Sequence, residues 1–155
     1  MRYSFLIVLM VLLLHTLSCD SGMVYDRYES TKHGVWSWKD AIEFKADISD
    51  TVSKHNIYLQ LRHTVEYPLS NLYMFVHVKG PGGQQLTDTI NMILAEPSGQ
   101  WTGKGNGKIR ELMFLYRKQT QFSIPGTYVF TLEQAMRQEE LPVTDLGVRI
   151  ERSNP

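Results

Sequence analysis

The residue with the most definite chemistry is Cys19. It is the single cysteine among 155 residues, so no internal disulfide can form, and an exposed free thiol in an exported protein would be a liability. Arg2 gives a positively charged start, residues 5–14 (FLIVLMVLLL) form an unbroken apolar run, and His15-Thr16-Leu17-Ser18 leads into the cysteine. That layout is a signal peptide. The run falls well short of the roughly 20 apolar residues a membrane-crossing helix needs. A small residue before a cysteine, Ser18-Cys19, is what lipoprotein processing requires, with Thr16 standing where leucine is usual. The expectation is cleavage before Cys19 and acylation of its sulfur. Two or more acyl chains, at about 0.8 kcal/mol per buried CH2, hold a protein stably where one chain is marginal.

Other reactive side chains are weighed against plainer roles. His33, His55, His63 and His77 remain after processing. His63 and His77 facing each other on neighbouring strands, near Glu66 or Asp88, is the arrangement that would suit a metal. The compact H-E-x-x-H type of spacing is missing, so no metal is expected. Gly103-Lys104-Gly105-Asn106-Gly107-Lys108 has the glycines of an anion cradle. It lacks a Gly-Lys-Ser/Thr ending and runs into a strand, which makes it a glycine-rich connection beside a β-bulge. No G-x-S-x-G elbow or legible pair of facing carboxylates marks a hydrolase, and no cofactor is implied. Trp36, Trp38 and Trp101 could stack on sugars, although filling a core is the commoner use of such rings. Asp88-Thr89 and Gln134-Ala135-Met136-Arg137 read as ties between loops and strand ends, with Arg137 the one that could equally anchor a partner.

The elements that must position these residues are strands. Ile57, Leu59 and Leu61 alternate with Tyr58, Gln60 and Arg62; Leu72, Met74, Val76 and Val78 alternate with Tyr73, Phe75, His77 and Lys79, the pair Phe75 and His77 facing outward. This period of two marks half-buried β-structure. Further strand signals cover 41–48, 86–94, 109–116, 128–132 and 146–150, with turns at 66–71, 80–83, 96–99 and 125–126 rich in Pro, Gly and Asn. One helical turn is expected at 133–140 (EQAMRQEE), where Glu and Gln favour helix. About eight short strands separated by turns predict an all-β fold, a single β-sandwich of which the jelly roll is one form. The expected organisation is a signal peptide over 1–18, a lipid-anchored tether over 19–34 and the sandwich over 35–155. Loss of residues 1–18 removes Arg2 alone among the charges, leaving 15 basic against 16 acidic residues. With no basic patch, a nucleic-acid partner is excluded.

Cys19, the segment YPLSNLYMFV from Tyr67, Asp88-Thr89, Gly99-Gln100-Trp101-Thr102-Gly103-Lys104-Gly105, Gly126-Thr127-Tyr128 and Gln134-Ala135-Met136-Arg137 together resemble the gliding-motility lipoprotein GldH family over most of the mature chain. The resemblance implies a non-enzymatic lipoprotein of Bacteroidota-type bacteria, associated with the gliding apparatus and the linked type IX secretion system. It implies the cell envelope as location, with Asp20-Ser21-Gly22 behind the anchor and the periplasmic face of the outer membrane as the expected site. Protein partners would then be met through the loops 67–71 and 99–107, with Tyr67, Pro68, Ser70, Asn71, Trp101 and Arg137 as candidate contacts. The alternative is a carbohydrate- or peptidoglycan-binding lipoprotein working through exposed tryptophans.

Overall fold

The computed structural model describes residues 22–153; the expected signal peptide and Cys19 lie outside them. Ten strands are present: β1 (Met23–Ser30), β2 (Trp36–Ser37), β3 (Ile42–Ile48), β4 (His55–Thr64), β5 (Asn71–Lys79), β6 (Gln85–Ile93), β7 (Ile109–Thr120), β8 (Gly126–Gln134), β9 (Glu140–Leu141) and β10 (Val143–Arg152). Eight build two four-stranded antiparallel sheets, in the orders β1-β10-β4-β7 and β3-β8-β5-β6, while β2 and β9 form a two-stranded ribbon. Only the β5–β6 hairpin stays within one sheet; every other connection between long strands crosses to the opposite sheet. This winding is the jelly-roll form of the sandwich.

Alternation decides which side chains go between the sheets. Leu59, Leu61, Leu146, Val148 and Ile150 from one sheet meet Phe44, Ile48, Leu72, Met74, Val76, Phe130 and Leu132 from the other, all essentially inaccessible to solvent. On the outer face of the first sheet, Tyr28 of edge strand β1 reaches across it. Its hydroxyl donates to Glu111 Oε1 on β7 at 3.0 Å, and the Arg62 guanidinium lies 4.2 Å from the centre of its ring, a cation–π contact. Gly147, opposite Tyr28 in the ladder, leaves room for that ring.

Two expectations need correction. Residues 23–30, read as tether, form edge strand β1, paired with β10 from Met23 to Ser30. As an edge it carries polar residues on both faces, so its hydrophobic period is weak. The single helical turn at 133–140 is absent, and the segment is the end of β8, a bend and the start of β9. Local helix preference yields to burial of Gln134, whose Nε2 donates to Trp36 O at 3.1 Å, and to pairing of β9 with β2.

The winding gathers the connections at two poles. At one lie 31–41, 65–70, 94–108 and 135–142. At the other lie 49–54, 80–84, 121–125 and the described ends of the chain, where Arg152 N donates to Gly22 O and Ser153 N to Lys54 O, each at 2.8 Å. Strands of ten residues such as β4 and β10 separate the poles by about 30 Å.

Candidate functional site

Every nominated contact residue lies at the pole formed by 31–41, 65–70, 94–108 and 135–142, together with all three tryptophans. Backbone bonds knit these loops together. Thr64 N donates to Pro142 O at 3.0 Å, Val65 N to Lys108 O at 2.8 Å, Leu94 N to Ser70 O at 2.8 Å and Trp38 N to Glu139 O at 3.0 Å. The loops therefore form a shaped platform.

Its centre is aromatic. His63, fully buried near the end of β4, has its ring centre 5.4 Å from that of Tyr67 and 4.8 Å from that of Trp101. Its Nδ1 sits 2.9 Å from Thr64 O, while Nε2 is buried without a partner. Burial holds its pKa below the ordinary histidine value, with the Arg110 charge adding to the effect and the Thr64 carbonyl opposing it. Tyr67 is itself 4% exposed and donates its hydroxyl to Asn71 O at 3.1 Å, closing its own turn; burial raises its pKa. The ring supports the loop from within, leaving Pro68 and Ser70 exposed above it. Asn71 is tied to Asn91 by a 2.8 Å side-chain bond. Trp101 is half-buried, covering His63.

The ribbon divides its two tryptophans. Trp36 is fully buried and donates Nε1 to Asp40 O at 2.8 Å, whereas Trp38 is 44% exposed. Arg137, in the bend after β8, is exposed and makes no ion pair among the described residues. Around the rim, Tyr73 at 42% and Ile93 at 51% exposure extend the platform onto the outer face of the second sheet. Trp38, Tyr73 and Ile93 supply exposed apolar surface at the rim, although none of them was among the nominated contact residues. Period-two alternation would put Trp36 and Trp38 on one face; they part because strand β2 ends at Ser37.

The glycine-rich loop folds back on β7. Lys104 and Glu111 exchange backbone bonds of 2.8 and 2.7 Å, and a Cβ on Gly103 or Gly105 would lie 2.9 Å from Glu111 O or 2.5 Å from Ile109 O. The glycines are thus required by close backbone approach. The facing arrangement of His63 and His77 does not exist, because β4 and β5 belong to different sheets. His77 Nδ1 instead meets Thr87 Oγ1 at 2.9 Å, and its Nε2 lies 3.6 Å from Glu133. Among the described residues no three His, Cys, Asp or Glu side chains converge on a metal-sized point. Asp88 ties the sheets together, accepting from Tyr116 and Arg117 of β7. These partners lower its pKa, the Tyr116 hydroxyl foremost, while burial and then the Asp88 bond push Tyr116 up to about 12.

Comparison with known proteins bears on identity. A family model described as GldH lipoprotein matches residues 23–150. A gliding motility lipoprotein GldH homolog of Christiangramia forsetii is 32% identical over 145 residues, covering 88% of each chain. Gliding motility lipoprotein GldH of Flavobacterium johnsoniae is 30% identical over 155 residues, covering 95% of this chain and 96% of its own. Among solved structures, infectious bursal disease virus, Gx strain, aligns over 86% of this chain and 32% of that chain at 15% identity, with a TM-score of 0.29, too low to bear on the fold. The match over nearly the whole described domain and the two full-length relatives agree: the chain belongs to the GldH lipoprotein family.

Proposed function

We propose that this chain is a non-enzymatic envelope lipoprotein, held by acyl chains on Cys19, that supports the gliding-motility or type IX secretion machinery through protein–protein contacts. The observation that carries the reading is the gathering of Pro68, Ser70, Trp101 and Arg137 on one knitted platform, at the pole opposite Gly22. The two relatives, named for gliding motility, support the process. Anchoring confines the platform to a surface and raises its effective concentration near membrane-bound partners, so an interface of modest area suffices. The periplasmic face of the outer membrane is the proposed location.

The sugar-binding alternative needs an exposed row of rings. Trp36 and Tyr67 are buried and Trp101 is spent on covering His63, which leaves Trp38 as the one freely exposed tryptophan.

The test is crosslinking and affinity capture of the full-length, acylated protein from its native envelope, beside Arg137→Glu and Ser70→Trp variants. Both positions are exposed, so the fold and anchor stay intact. Recovery of motility or secretion components with wild type and their loss with either variant supports the reading. Equal recovery with all three, or capture of glycan alone, refutes it.

A further inference from the structure

The pole that carries Gly22 holds a second feature. Between β5, β6 and β8 of one sheet and β4 and β7 of the other opens a cleft of about 590 Å³, walled by Ile57, Val78, Leu86, Phe122, Tyr128 and Phe130. Its size is that of a small-molecule pocket, roughly 300–1,000 Å³. The wall is mostly aliphatic and aromatic, with Gln84, Gln85, Thr120, Gln121 and Ser123 as its polar parts and Arg117, already engaged by Asp88, as its one charge. Around the same pole, Met23, Val52, Leu86 and Ile124 are exposed by 48, 85, 46 and 37%. Loop 121–125 reaches loop 49–54 through Gln121 Nε2 donating to Thr51 O at 2.9 Å, so Val52 and Ile124 border one surface. The cleft at the opposite edge, between β1 and β3, is lined by Arg27, Glu29, Glu43, Lys45 and Asp47. The two edges thus differ in kind, and only one is apolar.

Position says what covers the apolar one. Gly22 lies at this pole, held by Arg152 N, and Cys19 is three positions earlier in the sequence. Three residues reach at most about 10 Å. A chain acylated at Cys19 therefore keeps Gly22 within about that distance of the bilayer and turns this pole, with its exposed aliphatic side chains, towards it, the cleft lying at the β6–β7 edge across the sheet from β1. We propose, on the reading that Cys19 is acylated, that the cleft binds one acyl chain of a bilayer lipid, drawn in from the membrane beneath it. Apolar surface that would face water is then covered by hydrocarbon.

The acylated full-length chain supplies its own test. With the Cys19 sulfur modified, Ser123→Cys introduces a single reactive thiol beside Phe122, which takes a bimane fluorophore. The protein is reconstituted in phosphatidylethanolamine–phosphatidylglycerol vesicles containing lipid with a nitroxide either in mid-acyl chain or on the headgroup. The proposal predicts at least twofold stronger quenching by the acyl-chain nitroxide. Val78→Trp, which fills the cleft, and Leu86→Glu, at an exposed position on its mouth, should each abolish that preference and leave headgroup quenching in place. Headgroup quenching alone, no quenching, or an acyl-chain preference unchanged in both variants overturns the proposal. Mass spectrometry of the N-terminal peptide reports acylation separately. If it is absent, the anchoring reading fails by itself, and a Cys19→Ala chain with vesicles added from outside tests the cleft by the same ratio.

Discussion

Gly147→Ala probes the packing of the first sheet. Gly147 sits in the middle of β10, facing Tyr28 on one neighbour and Gln60 on the other. A Cβ there would stand 2.7 Å from Gln60 Oε1, 2.8 Å from Arg27 O and 3.0 Å from Tyr28 Cδ1. Gln60 is 5% exposed and has little space to swing into, Arg27 O is fixed backbone in the ladder, and Tyr28 is held at its far end by Glu111 and Arg62. Relief must come from displacing β1, an overpacking cost of about 1–3 kcal/mol. Replacing glycine recovers about 0.5–1 kcal/mol of strand conformational entropy, so the expected net loss is about 1–2 kcal/mol. In a domain of this size that lowers Tm by about 3–8 °C and shifts the urea midpoint with the m-value unchanged. Adding Gln60→Ala should restore part of the loss, since the Arg27 carbonyl contact stays. A Tm equal to or above wild type for Gly147→Ala would refute the packing argument.

Three further outcomes follow from the same structure. His55 and His63 are fully buried with pKa values lowered chiefly by that burial, so the unfolded chain binds protons that the folded one refuses. Stability is therefore complete above the unfolded histidine value near 6.5 and falls as pH drops below it, by at most about 1.4 kcal/mol per pH unit for each histidine, measurable by urea midpoints from pH 7.5 to 5; a flat profile contradicts it. Trp101→Ala removes the half-buried cover of His63 and should cost about 1.5–3 kcal/mol, below the 3–5 typical of a fully buried ring, while moving the His63 titration seen by NMR upward toward 6.5; an unmoved titration separates the two rings. Phe130→Ala, at a position with no solvent exposure between the sheets, should cost about 3–5 kcal/mol, read as a lowered urea midpoint; a loss under 1 kcal/mol would mean the core is loosely packed there.

The sandwich was legible because strands buried on one face must alternate, and Ile57, Leu59 and Leu61 do so without exception. Strand β1 escaped because an edge strand with Asp26, Arg27, Glu29 and Ser30 has little apolar period to detect. The false helical turn came from reading Glu and Gln density locally, when the bond from Gln134 to Trp36 and the β2–β9 pairing depend on residues about a hundred positions away. The platform was half legible. Its loops could be named from Pro, Asn and Gly, but their convergence follows from sheet order, which a single chain's periodicity does not encode. Tyr67 packs against His63 only four positions earlier; what sheet order supplies is Trp101, brought onto His63 from loop 94–108.

The pairing of β1 with β10 also governs timing. The first described strand has a single ladder partner, and that partner is the last described strand. Until residues 143–152 are present, β1 has no neighbour and β4 lacks one of its two. Native closure of this sheet thus awaits β10, and contacts so distant in sequence form slowly. A chain emerging residue by residue therefore carries β1 without its ladder partner until β10 has been made, and this sheet closes only where both strands share one compartment.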